Sequence, residues 1–256
     1  MEKQREQKEP LPVQENLIEG RNVVLEALRS GQSVDKLYVL EGCKDGPVMT
    51  ILREAKKQQV PLQQVSRQRL DQLSETGRHQ GVLGYVSAYP YKEVEEMLEA
   101  AREKGEDPFL IFLDGVEDPH NLGAIIRTAN LAGAHGVVIP KRRAAGLTAA
   151  AARASAGAVC YTPVARVTNL KKTMEELKEK GLWFVCADME GDSMYRVDLK
   201  GPLGLVLGNE GEGVSRLVRE TCDFKASIPM KGNIDSLNVS VAAGVLAFEI
   251  LHQRNK

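Results

Sequence analysis

Strand-length apolar runs alternate with helix-length segments along most of this chain of 256 residues. Runs such as FLIFLDGV, GVVIP and GLVLGNE are short and rich in Val, Ile and Leu, which is typical of strands buried on both faces. The segments between them, such as LKKTMEELKEKG, have apolar residues at helical spacing. This alternation predicts an α/β fold with a mostly parallel sheet that is covered by helices on both faces.

The pattern divides the chain into four parts. Residues 1–15 are charged and Gln-rich without periodic apolar positions, which predicts a flexible tail. Residues 16–90 have a shorter alternation of helices and strands, which predicts a small α/β domain. The pattern of residues 91–106 predicts an acidic, solvent-facing linker helix that ends at Gly105. Residues 107–256 are predicted to form the larger second domain.

Charge and hydropathy exclude several classes of protein. The net charge is only -1, which argues against nucleic-acid binding through bulk positive charge, so any basic surface is local. The densest candidate is the run KRR at 141–143, for which a solvated turn remains the alternative. No apolar run approaches the roughly 20 residues of a membrane span, and residues 1–10 lack an apolar export segment. We therefore expect a cytoplasmic protein with no membrane partner.

The cysteines and histidines indicate neither a metal site nor a disulfide framework. The four cysteines contain no CxxC pair, and the four histidines are equally scattered. We expect no bound metal and reduced thiols.

One loop after a strand is rich in glycine and glutamate. In GLVLGNEGEG, a strand runs into a loop with Gly208, Gly211 and Gly213, which a helix follows directly, and such glycines let a backbone approach a ligand closely. The glycine order differs from that of a dinucleotide fold, and Glu210 and Glu212 would repel a pyrophosphate. The loop therefore favours a cationic or hydroxyl-rich ligand, with a plain tight turn as the alternative.

Two other loops lead into helices. IPMKGNIDSLNVSVAAG places a polar loop before the last helix, where Ser236 is a candidate N-cap and Asn238 lies in the first turn; a capped core helix is the alternative. DGVEDPHNLGAIIRTAN has a buried helical face, whereas His120 and Arg127 project along another. Arginine suits bidentate phosphate recognition, although a surface arginine is the commoner explanation for any single one.

Together, NLGAIIRTAN, LVLGNEGEG and IPMKGNIDSLNVSVAAG resemble the three motifs of the SpoU (TrmH) family of RNA 2'-O-ribose methyltransferases, in the SPOUT superfamily. The resemblance covers roughly residues 107–252. The segment from EGRNVVLEAL to HQGVLGYV resembles the small L30e-like substrate-binding domain of the family's 23S rRNA guanosine methyltransferases.

The resemblance implies a C-terminal trefoil knot, a homodimer through the catalytic domain, and S-adenosylmethionine as the cofactor. It implies catalytic roles for four residues: Asn121, Arg127, Glu210 and Asn238. It implies a cofactor site formed by Leu207, Gly208, Asn209, Glu210, Gly211, Ile228, Met230, Ser236, Leu237 and Asn238. We expect Arg127 to hold RNA phosphate, oriented by Asn121 and Glu210, and further RNA contacts from Lys141, Arg142, Arg143 and Arg153.

The resemblance favours a guanosine of 23S rRNA in the peptidyl-transferase region as the target. Three alternatives stay open. A tRNA ribose methyltransferase would use the same motifs, but its terminal extensions are usually short and helical. A non-catalytic RNA-binding assembly factor would not need the four catalytic residues together. A nicotinamide-dependent oxidoreductase is disfavoured by the glycine order.

Overall fold

The computed structural model of the protein describes residues 16–233 and 236–256, so the predicted tail lies outside the described residues. The first of its two sheets has the strand order β1-β4-β2-β3, in which only β2 and β3 pair in parallel. Its strands are β1 (Leu17–Glu19), β2 (Val34–Leu40), β3 (Leu62–Val65) and β4 (Val82–Val86). Its helices are α1 (Arg21–Arg29), α2 (Gly46–Lys57) and α3 (Arg67–Leu73).

Local sequence signals explain most of this small unit. Asp45 and Ser66 cap α2 and α3 through their side chains, as short polar residues before a helix commonly do. Val24, Leu37 and Ile51 are fully buried between α1, α2 and the sheet. The strand β1 was not predicted, because three residues are too few to show a period.

The second sheet has six strands in the order β10-β8-β9-β5-β6-β7, and every pair is parallel, which confirms the predicted architecture. Its strands are β5 (Phe109–Asp114), β6 (Gly136–Pro140), β7 (Val164–Val167), β8 (Trp183–Ser193), β9 (Leu203–Gly208) and β10 (Phe224–Ser227). Its helices are α4 (Val94–Lys104), α5 (Pro119–Leu131), α6 (Ala149–Ala154), α7 (Leu170–Glu179), α8 (Arg216–Thr221) and α9 (Val239–Arg254).

The helix α4 departs from the prediction of a solvent-facing linker. It ends at Gly105, as predicted, and this glycine adopts a left-handed conformation. However, Val94, Met97 and Ala101 are buried, and the first two join the core on one face of the second sheet. Their spacing of three and four residues forms an apolar stripe, so α4 covers that sheet with one face and meets solvent with the other.

The last helix returns the chain from the sheet edge to its centre. After the edge strand β10, α9 packs against α5 and β9 in the core on the opposite face of the sheet. This path brings the loop before α9 beside the loops that follow β5 and β9. The trefoil knot stays a prediction. Of the described residues, no helix is long and apolar enough to cross a membrane.

Candidate active site

The loops that follow β5 and β9 meet the loop before α9 at one edge of the sheet. Parallel strands place their carboxyl ends at the same edge, which is where α/β proteins bind ligands. The loop after β9 is closed by a pair of backbone hydrogen bonds between Asn209 and Gly213, of 3.1 and 2.8 Å. The Asn209 side chain donates to the Gly115 carbonyl and accepts from the Gly211 amide, which joins this loop to the end of β5.

Glycine is required where this loop leaves β9. A Cβ atom on Gly208 would lie 2.0 Å from the carbonyl carbon of Gly213 and 2.1 Å from the amide nitrogen of Val214. Both are backbone atoms, which no side-chain rotation can move. The sequence GNEGEG therefore makes a loop that folds back tightly on its own start.

Two helix N-termini bring amide side chains to the same place. Asp118 caps α5 by accepting from the His120 amide, and Asn121 follows in the first turn. Asn238 caps α9 by accepting from the Ser240 amide at 2.9 Å and the Ser240 hydroxyl at 2.5 Å. The prediction that Ser236 caps this helix is wrong, because the helix begins at Val239 and asparagine caps as well as serine does.

Three of the four predicted catalytic residues form one hydrogen-bonded cluster. Glu210 Oε1 accepts from Asn121 Nδ2 at 3.1 Å, from Asn238 Nδ2 at 2.5 Å and from the Val239 amide at 3.3 Å. Asn238 Nδ2 also donates to Asn121 Oδ1 at 3.0 Å. The cluster links residues separated by up to 117 positions, which lie in the first turn of α5, in the loop after β9 and at the N-cap of α9.

Arg127, the fourth of these residues, does not join the cluster. It is exposed on α5, while Leu122, Ile125 and Ile126 are buried as the helical spacing predicted. Among the described residues it has no hydrogen bond to Asn121 and no acidic ion-pair partner. Asn121 lies six residues before Arg127, which is about 9 Å along the helix. Its side chain bonds Glu210 and Asn238. The expectation that Asn121 and Glu210 orient Arg127 stays a prediction, since their described side-chain hydrogen bonds join them to each other and to Asn238.

A cavity of about 320 Å³ adjoins the cluster. Nine of the ten residues predicted to bind the cofactor line it: Leu207, Gly208, Asn209, Glu210, Gly211, Ile228, Met230, Ser236 and Leu237. The tenth, Asn238, hydrogen-bonds to Glu210 in the cavity wall. The lining combines apolar side chains, such as Leu207 and Ile228, with carboxylates. The cavity therefore suits a partly apolar ligand that carries positive charge or hydroxyl groups.

The part of β8 that follows its last pair with β9, at Cys186, supplies a wall of the cavity that sequence reasoning missed. Residues 187–190 line it, together with Arg219. The Asp188 side chain is only 11% exposed, and its Oδ2 atom is buried without a hydrogen-bond partner. Arg219 Nη1 lies 3.5 Å and Lys225 Nζ 4.0 Å from that oxygen. The signal was an aspartate directly after the run LWFVCA, at the edge where ligands bind.

The four other predicted RNA-binding residues lie in two places. Arg142 and Arg143 are exposed in the loop after β6, where Lys141 is partly buried and its pKa is lowered by burial. Arg153 is exposed in the last turn of α6. This helix packs so closely on α5 that a Cβ atom on Gly123 would lie 2.4 Å from the Ala151 carbonyl oxygen. Across the described ranges, no group of three or more His, Cys, Asp or Glu residues could hold a metal ion.

Comparison with protein families accounts for both sheets. Residues 108–248 match the SpoU rRNA Methylase family, and residues 17–92 match a family described as RNA 2'-O ribose methyltransferase substrate binding. The chain is 49% identical over 243 residues to the putative TrmH family tRNA/rRNA methyltransferase YacO of Bacillus subtilis, covering 94% of this chain and 97% of that protein. A relative from Staphylococcus saprophyticus with the same family description is 44% identical, over 95% of this chain and 98% of its own.

Solved structures show the same architecture. The SpoU methyltransferase AviRb from Streptomyces viridochromogenes, in complex with the cofactor AdoMet, is 25% identical with a TM-score of 0.57, over 93% of this chain and 89% of that one. The AdoMet-bound rRNA methyltransferase from Sinorhizobium meliloti is 25% identical with a TM-score of 0.58, over 93% and 87%. The TrmH/SpoU tRNA modifying enzyme of A. aeolicus is 32% identical with a TM-score of 0.53, over 63% and 84%.

Proposed function

Because the chain belongs to the SpoU rRNA methylase family of S-adenosylmethionine-dependent RNA methyltransferases, we propose that it methylates a ribose 2'-hydroxyl group of 23S rRNA, on a guanosine of the peptidyl-transferase region. The single observation that carries this proposal is the cluster of Asn121, Glu210 and Asn238, which joins the three motif loops beside the cavity. A merely structural set of loops would not require three polar side chains to converge there.

The cavity fits the cofactor. Its volume of about 320 Å³ lies within the usual range for small-molecule sites, roughly 300–1,000 Å³. Asp188 Oδ2 has the ion-pair contacts to Arg219 and Lys225 but no hydrogen bond among the described residues, so it is available to accept from a ribose hydroxyl or an amino group. Glu210 and Glu212 line the cavity, where their negative charge would favour a cationic sulfonium group.

The chain's own residues orient the acceptor and stabilise charge. S-adenosylmethionine supplies an activated methyl group, and positioning of the reactants contributes about 7–11 kcal/mol to such a transfer. The cluster around Glu210 fixes the loop that forms one side of the cavity. Arg127 is exposed and unpaired among the described residues, so its planar guanidinium is available for an RNA phosphate and for the alkoxide charge that develops at the 2'-oxygen. It does not act as a base, because a guanidinium stays protonated in proteins.

The two-domain arrangement favours rRNA over tRNA. The rRNA methyltransferase from Sinorhizobium meliloti aligns with 93% of this chain, whereas the tRNA modifying enzyme of A. aeolicus aligns with 63%. The small domain, which matches the substrate-binding family, would then select the RNA by shape or unpaired bases. We place the protein in the cytoplasm, where a bacterial rRNA substrate is found.

The surface of α9 supports a homodimer through the catalytic domain. One face of the helix is buried in the core, yet Val241 and Phe248 on another face are 50% and 47% exposed. Gly244 lies between them, with open space around it. A helix with apolar residues on opposite faces is normally buried on both. A second copy of this chain would cover Val241 and Phe248. Light scattering should give a dimer mass for the parent protein and a monomer mass for Phe248→Glu.

Transfer of a labelled methyl group tests the function directly. Purified protein is incubated with labelled S-adenosylmethionine and either 23S rRNA or bulk tRNA. The proposal requires label in 23S rRNA. Label in tRNA alone would favour the tRNA methyltransferase, and cofactor binding without transfer to either RNA would favour the assembly factor.

A further inference from the structure

A buried ion pair joins the small domain to the catalytic domain. Arg166, on β7, donates from Nη1 to Asp35 Oδ1 at 2.6 Å and from Nη2 to the Asp35 carbonyl at 2.8 Å. Tyr91, in the segment between the two sheets, donates its hydroxyl to the same Asp35 Oδ1 at 2.9 Å, and its ring lies 5.4 Å from the guanidinium carbon. The Arg166 and Asp35 side chains are only 12% and 10% exposed. We call these three residues the clamp.

The clamp also holds both ends of the basic loop, residues 141–147. At the start of the loop, Arg166 Nη2 donates to the Lys141 carbonyl at 3.1 Å. At its end, the Leu147 amide donates to the Tyr91 hydroxyl at 3.0 Å. The same side chains therefore contact the small domain and the loop that carries Arg142 and Arg143.

A second contact repeats this link. Gln59, two residues after the end of α2, accepts through Oε1 from Lys141 Nζ at 3.4 Å and from the Thr168 hydroxyl at 2.7 Å. The Ala88 amide also donates to the Leu147 carbonyl at 2.9 Å. Residues of the small domain and of the segment after it thus contact both ends of the basic loop.

The cost of the clamp points to a role other than stability. Burial raises the pKa of the Asp35 carboxyl even though Arg166 lies beside it. Asp35 Oδ2 and Arg166 Nε are both buried without hydrogen-bond partners. A buried ion pair with unsatisfied atoms stabilises a fold little compared with apolar packing, but it accepts only one geometry.

We propose that Asp35 and Arg166 are positioning residues, which hold the small domain and the basic loop as one continuous RNA-binding surface at a fixed distance from the active site. The inference rests on the proposed function. RNA that is bound to the small domain then contacts Arg127 within the same complex, and this second contact is made at high effective concentration.

The test uses the full chain with both charges of the clamp removed. The double variant Asp35→Asn/Arg166→Met leaves no unpaired buried charge. Its matched control is Lys172→Met/Glu176→Gln, which removes an exposed ion pair of α7. Tyr91→Phe is a milder variant that removes only the bridging hydroxyl. For each protein, we measure RNA methylation kinetics, binding of S-adenosylhomocysteine, and the rate of tryptic cleavage after Lys92, whose amide donates to the Val164 carbonyl.

The double variant should raise the KM for 23S rRNA at least about tenfold, keep kcat within about threefold, and bind S-adenosylhomocysteine like the parent. Cleavage after Lys92 should become faster, Tyr91→Phe should show smaller changes of the same kind, and the control should behave like the parent. Parental KM and cleavage in both clamp variants would overturn the proposal. So would a loss of kcat and of binding stoichiometry at unchanged KM, because that pattern indicates partial unfolding.

The two proposals fail in different ways. If the parent protein methylates no RNA while the clamp variants are cleaved faster, the proposed function fails and only the fixing of the two domains stands. If the parent methylates RNA while the clamp variants match it in KM and in cleavage, the positioning role fails alone. Should the double variant not fold, Tyr91→Phe decides the question by the same two measurements.

Discussion

Replacement of Gly208 by alanine should damage the cofactor site through a steric effect alone. The new Cβ atom would lie between 2.0 and 2.2 Å from the carbonyl group of Gly213 and the amide nitrogen of Val214. Non-bonded carbon atoms rest at about 3.5 Å or more, so the two backbone segments must separate by about 1.5 Å. This movement would break the paired hydrogen bonds between Asn209 and Gly213. It would also displace Glu210, the residue after Asn209.

The expected size of the effect follows from these contacts. Overpacking against atoms that cannot rotate away costs about 2–3 kcal/mol, the upper part of the usual range. For a chain of this length, such a loss lowers Tm by roughly 4–12 °C. The affinity for S-adenosylhomocysteine should fall at least about tenfold, which corresponds to about 1.4 kcal/mol.

Gly211→Ala in the same loop is a matched control. Its added Cβ atom would meet only Asn209 Oδ1, at an ordinary contact distance of 3.5 Å. Thermal melting and titration calorimetry with S-adenosylhomocysteine compare the two variants with the parent. We expect Gly211→Ala to keep the Tm of the parent and, although Gly211 lines the cavity, to lose less affinity than Gly208→Ala, because its Cβ atom makes only an ordinary contact. Equal affinities for both variants would refute the argument that Gly208 is sterically required.

Three further outcomes are expected. Arg127→Ala should reduce methylation at least about 100-fold with S-adenosylhomocysteine affinity within a few-fold, and Arg127→Lys should restore little; a lysine variant with most of the activity would reduce the role to simple charge. Calorimetry with a chelator present should still detect S-adenosylhomocysteine binding, and loss of the binding heat would reveal a metal requirement. Burial lowers the pKa of His135, whose Nδ1 accepts from the Phe109 amide. The contribution of the neutral imidazole to the free energy of unfolding should therefore be complete above about pH 6.5 and be lost as pH drops through the folded-state pKa. Urea titrations at pH 7.5 and 5.5 should show a smaller decrease for His135→Gln, and an equal decrease would contradict this assignment.

The periodic part of the sequence predicted the architecture because it encodes burial. The runs that form β5, β6 and β9 are apolar on both faces, and the structure buries them between two layers of helices. Parallel strands end at one edge, so the meeting of the three loops could also be anticipated. The structure brings Asn121, Glu210 and Asn238 within hydrogen-bonding distance there.

Long-range contacts could not be predicted in this way. Asp35 and Arg166 are 131 residues apart, and neither occurs in a pattern that marks a partner. Asp188 was missed because it lies inside β8, which runs on to Ser193, whereas attention went to the loops that follow strands. The buried face of α4 was missed because its many acidic residues masked three apolar positions.

The central claim is that the three loops form a site that methylates a ribose of 23S rRNA. The most direct measurement is transfer of labelled methyl from S-adenosylmethionine to 23S rRNA, followed by alkaline hydrolysis, which cannot cleave after a 2'-O-methylated nucleotide. The account predicts that the label remains in one alkali-resistant dinucleotide that begins with guanosine, and that Arg127→Ala reduces this label at least about 100-fold while still binding S-adenosylhomocysteine. Label released as an ordinary mononucleotide would show methylation of a base, and would contradict the account.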